Sequence, residues 1–149
     1  MEYGYMKTKR IPLVVGIVLL AAMAFVGIAS ACDYGCTPGY WKNHPENWQC
    51  TNLDPDEVMD PPYADLDGDG DLDTFMDALN YKGGSGDAGA ERILLRAGVA
   101  AYLNSCAFED FPDDFSDFFD YLNNPVGQRD EMLNLAGYFD YYNNAGCPF

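Results

Sequence analysis

Basic residues are few. Eight Lys and Arg stand against 24 Asp and Glu in the 149-residue chain, a formal net charge of −16. A phosphate backbone is held by clustered Lys and Arg, so a nucleic-acid partner is excluded, and adhesion to an anionic lipid surface is disfavoured on the same ground. Histidine is scarcer still, with His44 alone. The five cysteines include no CxxC pair, so the ligand spacing of a zinc site is missing. No serine or cysteine nucleophile is marked beside a base. Asp and Glu pairs could serve a hydrolase as general acid and base, but nothing fixes their geometry, and the chain reads as non-enzymatic. Strand-period runs and hairpin signals are also lacking, which argues against a sheet.

One apolar run is present, at the start. Lys7, Lys9 and Arg10 precede an apolar stretch from Ile11 to Ile28, and Ala29-Ser30-Ala31 follows with small residues at both positions of a cleavage signal. A stretch of about 18 residues only just reaches the length needed to span a bilayer, and the polar change at Asp33 favours cleavage. Residues 1–31 therefore read as a signal peptide helix, and residues 32–149 as a single domain that is secreted or held at the cell surface. Setting aside Lys7, Lys9, Arg10 and Glu2 leaves 5 basic and 23 acidic residues, a net charge of −18. Such a charge repels itself in the folded state unless salt screens it or cations bind.

Cys32, Cys36, Cys50, Cys106 and Cys147 all follow the signal segment, and in an oxidising compartment they read as disulfides. Five is odd. Cys32 is expected to be the one left over, because it directly follows the cleavage signal, where a lipoprotein would carry its lipid. Lipidation, a free thiol and an intermolecular bridge all remain open for it.

The pattern predicts a mainly α fold, a small disulfide-stapled helical domain with an irregular N-terminal region. Pro38-Gly39 and the pre-proline His44 predict a fixed non-helical turn. A short helix is expected over Thr74–Asn80, ended by Gly83-Gly84. A longer one is expected over Ala88–Cys106, capped by Ser85–Asp87, with Ile93, Leu94, Ala97, Ala100, Ala101 and Leu103 largely on one face. Phe115, Phe118, Phe119 and Leu122 repeat at helical spacing opposite Asp113, Asp114, Asp117 and Asp120, up to Pro125. A last helix over Gln128–Asn143 would bury Met132, Leu135, Ala136, Phe139 and Tyr142, with Gly146 as its stop.

Residues 65–77 carry the most informative chemistry. Asp65, Asp67, Asp69, Asp71 and Asp73 alternate along a loop with Gly68 and Gly70 between them. Carboxylates in this pattern converge oxygens on a hard cation, and Gly70 supplies the sharp turn. With Asp65 at position 1, the loop matches the first half of an EF-hand or dockerin-like calcium loop, and Leu72 is expected to tuck inward. The second half departs: Met76 occupies position 12 and Asp77 comes one residue late. Either Asp77 completes the shell through a shifted helix, or the site is open and weaker. The expected cofactor is structural Ca²⁺.

The stretch Cys36-Thr37-Pro38-Gly39-Tyr40-Trp41-Lys42-Asn43-His44 resembles the entry motif of a family of secreted microbial surface proteins. Further agreement lies in Asp77–Gly84, in Ile93–Ala97 with Val99–Asn104, and in Asn143–Pro148. The resemblance implies an extracellular or cell-surface domain and carries no activity. It also implies pairing Cys36 with Cys147, which leaves Cys50 for Cys106.

His44 reads as part of a packed turn with Trp41, Pro45 and Trp48. Arg92 and Arg96 are expected in internal salt bridges. Trp41, Trp48 and the tyrosines are expected to pack in the core rather than stack on sugars. The leading function is a structural or interaction module that partners other surface proteins or copies of itself. A carbohydrate-binding module is the alternative.

Overall fold

The computed structural model describes residues 34–59, 65–112 and 129–149. The chain divides into two units, Met1–Ser30 and Ala31–Phe149, and all described residues belong to the second. The signal segment, Cys32 and the helix expected around Phe115–Leu122 with its acidic face lie outside them. The protein is mainly helical, and among the described residues only isolated bridges, Gly35 with Gly146 and Val58 with Thr74, have strand character.

The entry region departs from the expected turn. Pro38–Asn43 is a helix, α1, and Pro45–Cys50 is a 3₁₀ helix. Proline fits the first helical position, where its missing N–H costs nothing. Thr37 caps α1 by accepting from the Tyr40 amide at 3.3 Å. The pre-proline residue does break the path: His44 leaves α1 at φ −132° and ψ 57°. Trp41 and Trp48 then point into the core, fully or almost fully buried.

Helix α2 spans Phe75–Asn80 and ends at Tyr81, before the two glycines expected to stop it. Helix α3, Gly86–Ala107, is the central element, with Ser85 at its N-cap position but making no side-chain cap bond. Leu94, Ala97, Ala100, Ala101 and Leu103 are buried, and so are Gly89, Ala90, Gly98 and Val99. Burial on nearly every side marks a helix surrounded by the rest of the fold. Helix α4, Arg129–Asn143, packs along it and buries Met132, Ala136, Phe139 and Asn143. Leu135 and Tyr142, both expected inside, are partly buried.

Two cross-links close this arrangement. Cys36 is bonded to Cys147 and Cys50 to Cys106, with Cα–Cα distances of 4.5 and 5.7 Å. Beside the first, the Gly35 amide donates to the Gly146 carbonyl at 3.0 Å. Disulfides persist in oxidising compartments, and among the described residues no helix is long and apolar enough to cross a membrane.

Candidate metal centre

The acidic loop is held at both ends by backbone pairing. Met59 N–H donates to the Asp73 carbonyl at 2.9 Å, and Phe75 N–H donates to the Glu57 carbonyl at 3.1 Å. Inside the loop the aspartates fold the chain by bonding amides ahead of them. Asp65 Oδ1 accepts from Gly68 N–H, Asp67 Oδ1 from Asp69 N–H and Asp69 Oδ1 from Asp71 N–H. Gly68 and Gly70 adopt φ of 81° and 95°, a region open to glycine without a Cβ penalty.

This path brings together Asp65, Asp67 and Asp73, each with a carboxylate oxygen within 4.8 Å of the others. Asp69 and Asp71 are exposed and stand apart from that cluster. Asp77 is committed elsewhere. Its Oδ2 accepts from Thr74 N–H at 2.8 Å and from Thr74 Oγ1 at 2.7 Å, while its own amide donates back to Thr74 Oγ1. This is a capping box at the start of α2. Met76, at the expected ligand position, packs against the core instead.

Asp73 is the unusual member, a carboxylate only 2% exposed. Its Oδ2 accepts a short bond from Leu66 N–H. The expected inward anchor, Leu72, is 61% exposed. Neighbouring side chains in an extended segment point opposite ways, so turning Asp73 inward turns Leu72 out. Leu66 packs against the core in its place. Arg92 reinforces that anchor, donating through Nη1 to the Leu66 carbonyl at 2.7 Å and through Nε to the Lys82 carbonyl.

Tyr81 reaches the same place from the end of α2. It is 3% exposed, and its hydroxyl is enclosed with no acceptor in hydrogen-bond geometry. Burial raises its pKa far above that of an ordinary phenol, and the adjacent Asp73, then Asp67 and Asp77, push it the same way. Asp67 is itself raised, first by desolvation and then by the charges of Asp69, Asp73 and Asp65, against the Asp69 amide bond. Three carboxylates and an enclosed hydroxyl thus share one region of the loop. Oxygen donors of this kind suit a hard divalent cation.

The chain matches no protein-family model, no curated protein and no solved structure. The remaining candidates are therefore judged on geometry. His44 stacks on Tyr40 with ring centroids 4.5 Å apart, and its Nδ1 meets Glu46 Oε1 at 3.0 Å. That hydrogen bond lowers the Glu46 pKa. Arg92 and Arg96, expected in internal salt bridges, both donate to carbonyls, Arg96 to that of Tyr81 at 3.1 Å. Trp41 and Trp48 are internal, and among the described residues the exposed aromatics are Tyr34, Tyr138, Tyr141 and Phe149.

Sequence reasoning missed Tyr81, Leu66 and two asparagines. Asn104 Oδ1 accepts from Cys36 N–H at 2.8 Å and from Trp41 Nε1 at 3.0 Å, while its Nδ2 donates to the Cys36 carbonyl at 2.9 Å. Asn143 Nδ2 donates to the Ala97 carbonyl at 3.0 Å. The partial signal was position: Asn104 closes Val99–Asn104 and Asn143 opens Asn143–Pro148, two of the stretches on which the expected resemblance rests.

Proposed function

We propose that residues 32–149 form a non-enzymatic extracellular or cell-surface structural module, cleaved from its signal peptide and stabilised by two disulfides and a structural calcium ion. The observation that carries the cation is Asp73. A carboxylate removed from water needs a compensating charge or donors, and Asp73 sits among two further carboxylates with only the Leu66 amide and the enclosed Tyr81 hydroxyl beside it. Asp65, Asp67 and Asp73 would hold the ion, with the Tyr81 hydroxyl behind them. The ion would neutralise the loop and fix the 55–59 and 73–76 segments together. The disulfides support export, since such bonds are rare in reducing compartments.

Thermal unfolding of the secreted protein in EDTA, Mg²⁺ and Ca²⁺ tests this reading. Ca²⁺ at ten times its dissociation constant adds about 1.4 kcal/mol, a rise of several degrees in Tm for a domain of this size. Asp73→Asn should remove the response. A Tm that ignores millimolar Ca²⁺ would overturn the calcium assignment. Intact mass with and without reduction tests the rest: cleavage before Cys32 and two internal bridges are expected, and an uncleaved chain would defeat the export reading.

A further inference from the structure

The charge of the domain is inverted at one place. After residue 31 the chain holds only five basic residues, Lys42, Lys82, Arg92, Arg96 and Arg129. Three of them, Lys42, Lys82 and Arg96, line a single open cleft of about 410 Å³, where Asp140 is the one acidic side chain among the described residues. That volume lies within the range of small-molecule sites. The cleft is assembled from four elements: α1, the end of α2 with Tyr81 and Lys82, α3 and α4. The positive charges are thus gathered by the fold rather than by neighbouring sequence.

The lining also restricts what fits. Arg96 is oriented by its bond to the Tyr81 carbonyl, which uses one of the five N–H donors of a guanidinium. The amide of Asn80 is fixed by donation to the Met76 carbonyl at 2.8 Å, which leaves its oxygen as an acceptor. Pro38 adds an apolar surface. Asp140 disfavours a multiply charged anion such as phosphate but accepts hydrogen bonds from hydroxyl groups. A monoanion meets three cations against this one carboxylate.

We propose that this cleft binds a sugar acid, its carboxylate on Lys42, Lys82 and Arg96 and its hydroxyls on Asp140 and Asn80. A guanidinium matches a carboxylate in a planar, two-bond geometry, while the ammonium groups act as point charges. The carbon face of the ring lies against Pro38. None of its ligand-binding groups is one of the three clustered aspartates, although Tyr81 borders both places.

Amide chemical shifts of the ¹⁵N-labelled secreted protein test this, titrated separately with galacturonate, a galacturonate oligomer, galactose and inorganic phosphate. Saturable shifts at Gly39, Lys82 and Arg96 are expected with galacturonate, and galactose should bind at least tenfold more weakly. Tighter binding of the oligomer identifies a chain residue as the ligand, and equal binding identifies the free acid; either supports a sugar-acid site. Lys42→Glu and Lys82→Glu, both at exposed positions, should each weaken binding at least tenfold with Tm unchanged. Shifts that fail to saturate, phosphate binding as tightly as galacturonate, or full binding in both charge reversals would overturn the proposal. If a reversal unfolds the domain, the mapped shifts and the galactose and phosphate arms on the parent protein decide it.

Discussion

Asn104 Nδ2 donates to Asn143 Oδ1 at 2.8 Å, with both side chains fully buried. The contact joins α3 to α4 and completes a four-bond arrangement around Asn104, which also holds both backbone groups of Cys36 and the Trp41 indole. An asparagine side chain has two donors and two strong acceptor sites, so every one is filled. Asn104→Leu would leave several buried partners unsatisfied, at about 1–3 kcal/mol for each group that water cannot reach. A loss of roughly 3–5 kcal/mol is expected in urea unfolding. Asn104→Asp should do no better, since its acceptor oxygen would face the Cys36 carbonyl. A loss below 1 kcal/mol in both variants would show that the network has no such role.

Two glycines should respond in opposite directions to alanine. A Cβ on Gly89 would stand 2.3 Å from the Gly84 carbonyl carbon and oxygen, which are backbone atoms that cannot swing aside. Gly89→Ala should cost about 2–3 kcal/mol despite its better helix propensity. Gly137, in α4, has nothing within 4 Å of the same position. There the change should stabilise by about 0.5–1 kcal/mol, and Tm values of the pair measure both signs.

The loop anchor is Leu66, so the two loop leucines should separate cleanly. Leu66→Ala is expected to cost about 1–2 kcal/mol, a partial share of the value for a fully buried leucine. Leu72→Ser should change stability by less than about 0.5 kcal/mol. Thermal unfolding at saturating Ca²⁺ and in EDTA checks both.

Asp140 gives a pH-dependent signature. Burial, partly offset by Arg96, raises its pKa above the unfolded value. The folded state therefore takes up the proton more readily, and the stability this group contributes is complete below its unfolded pKa and lost as pH rises through its folded pKa. Asp140→Asn should exceed the parent in Tm at pH 7, with the advantage shrinking as pH falls through the raised carboxyl range. An advantage that grew on acidification would reverse the assignment.

The long helix was legible because Leu94, Ala97, Ala101 and their neighbours are apolar or small over many turns, leaving little else for Gly86–Ala107 to be. Pro38-Gly39 was misleading. Proline both starts helices and makes turns, and Thr37 decides between them only through a cap bond that depends on the fold. The aspartate alternation marked the loop, yet Leu66 and Leu72 fall at equivalent spacing within it. Only the pairing of residue 59 with residue 73 determines which one faces inward. Asn104 and Asn143 read as helix-end polar residues because their partners lie 39 to 68 positions away. Tyr81 was hidden for a related reason: nothing local ties a tyrosine after a short helix to an aspartate eight residues earlier.

The Cys36–Cys147 bridge joins positions 111 residues apart at a Cα–Cα distance of 4.5 Å. Tension applied to the chain outside these two residues therefore passes through covalent sulfur and bypasses every helix between them. Drawn out, the enclosed segment would reach roughly 370–400 Å at 3.3–3.6 Å per residue, and none of that length can be released while the bridge is closed. Under load the domain behaves as an inextensible link. Reduction of that bond alone would make about half of that length available as slack, because Cys50–Cys106 still closes 56 of the 111 residues, giving a mechanical response set by redox chemistry rather than by the strength of the fold.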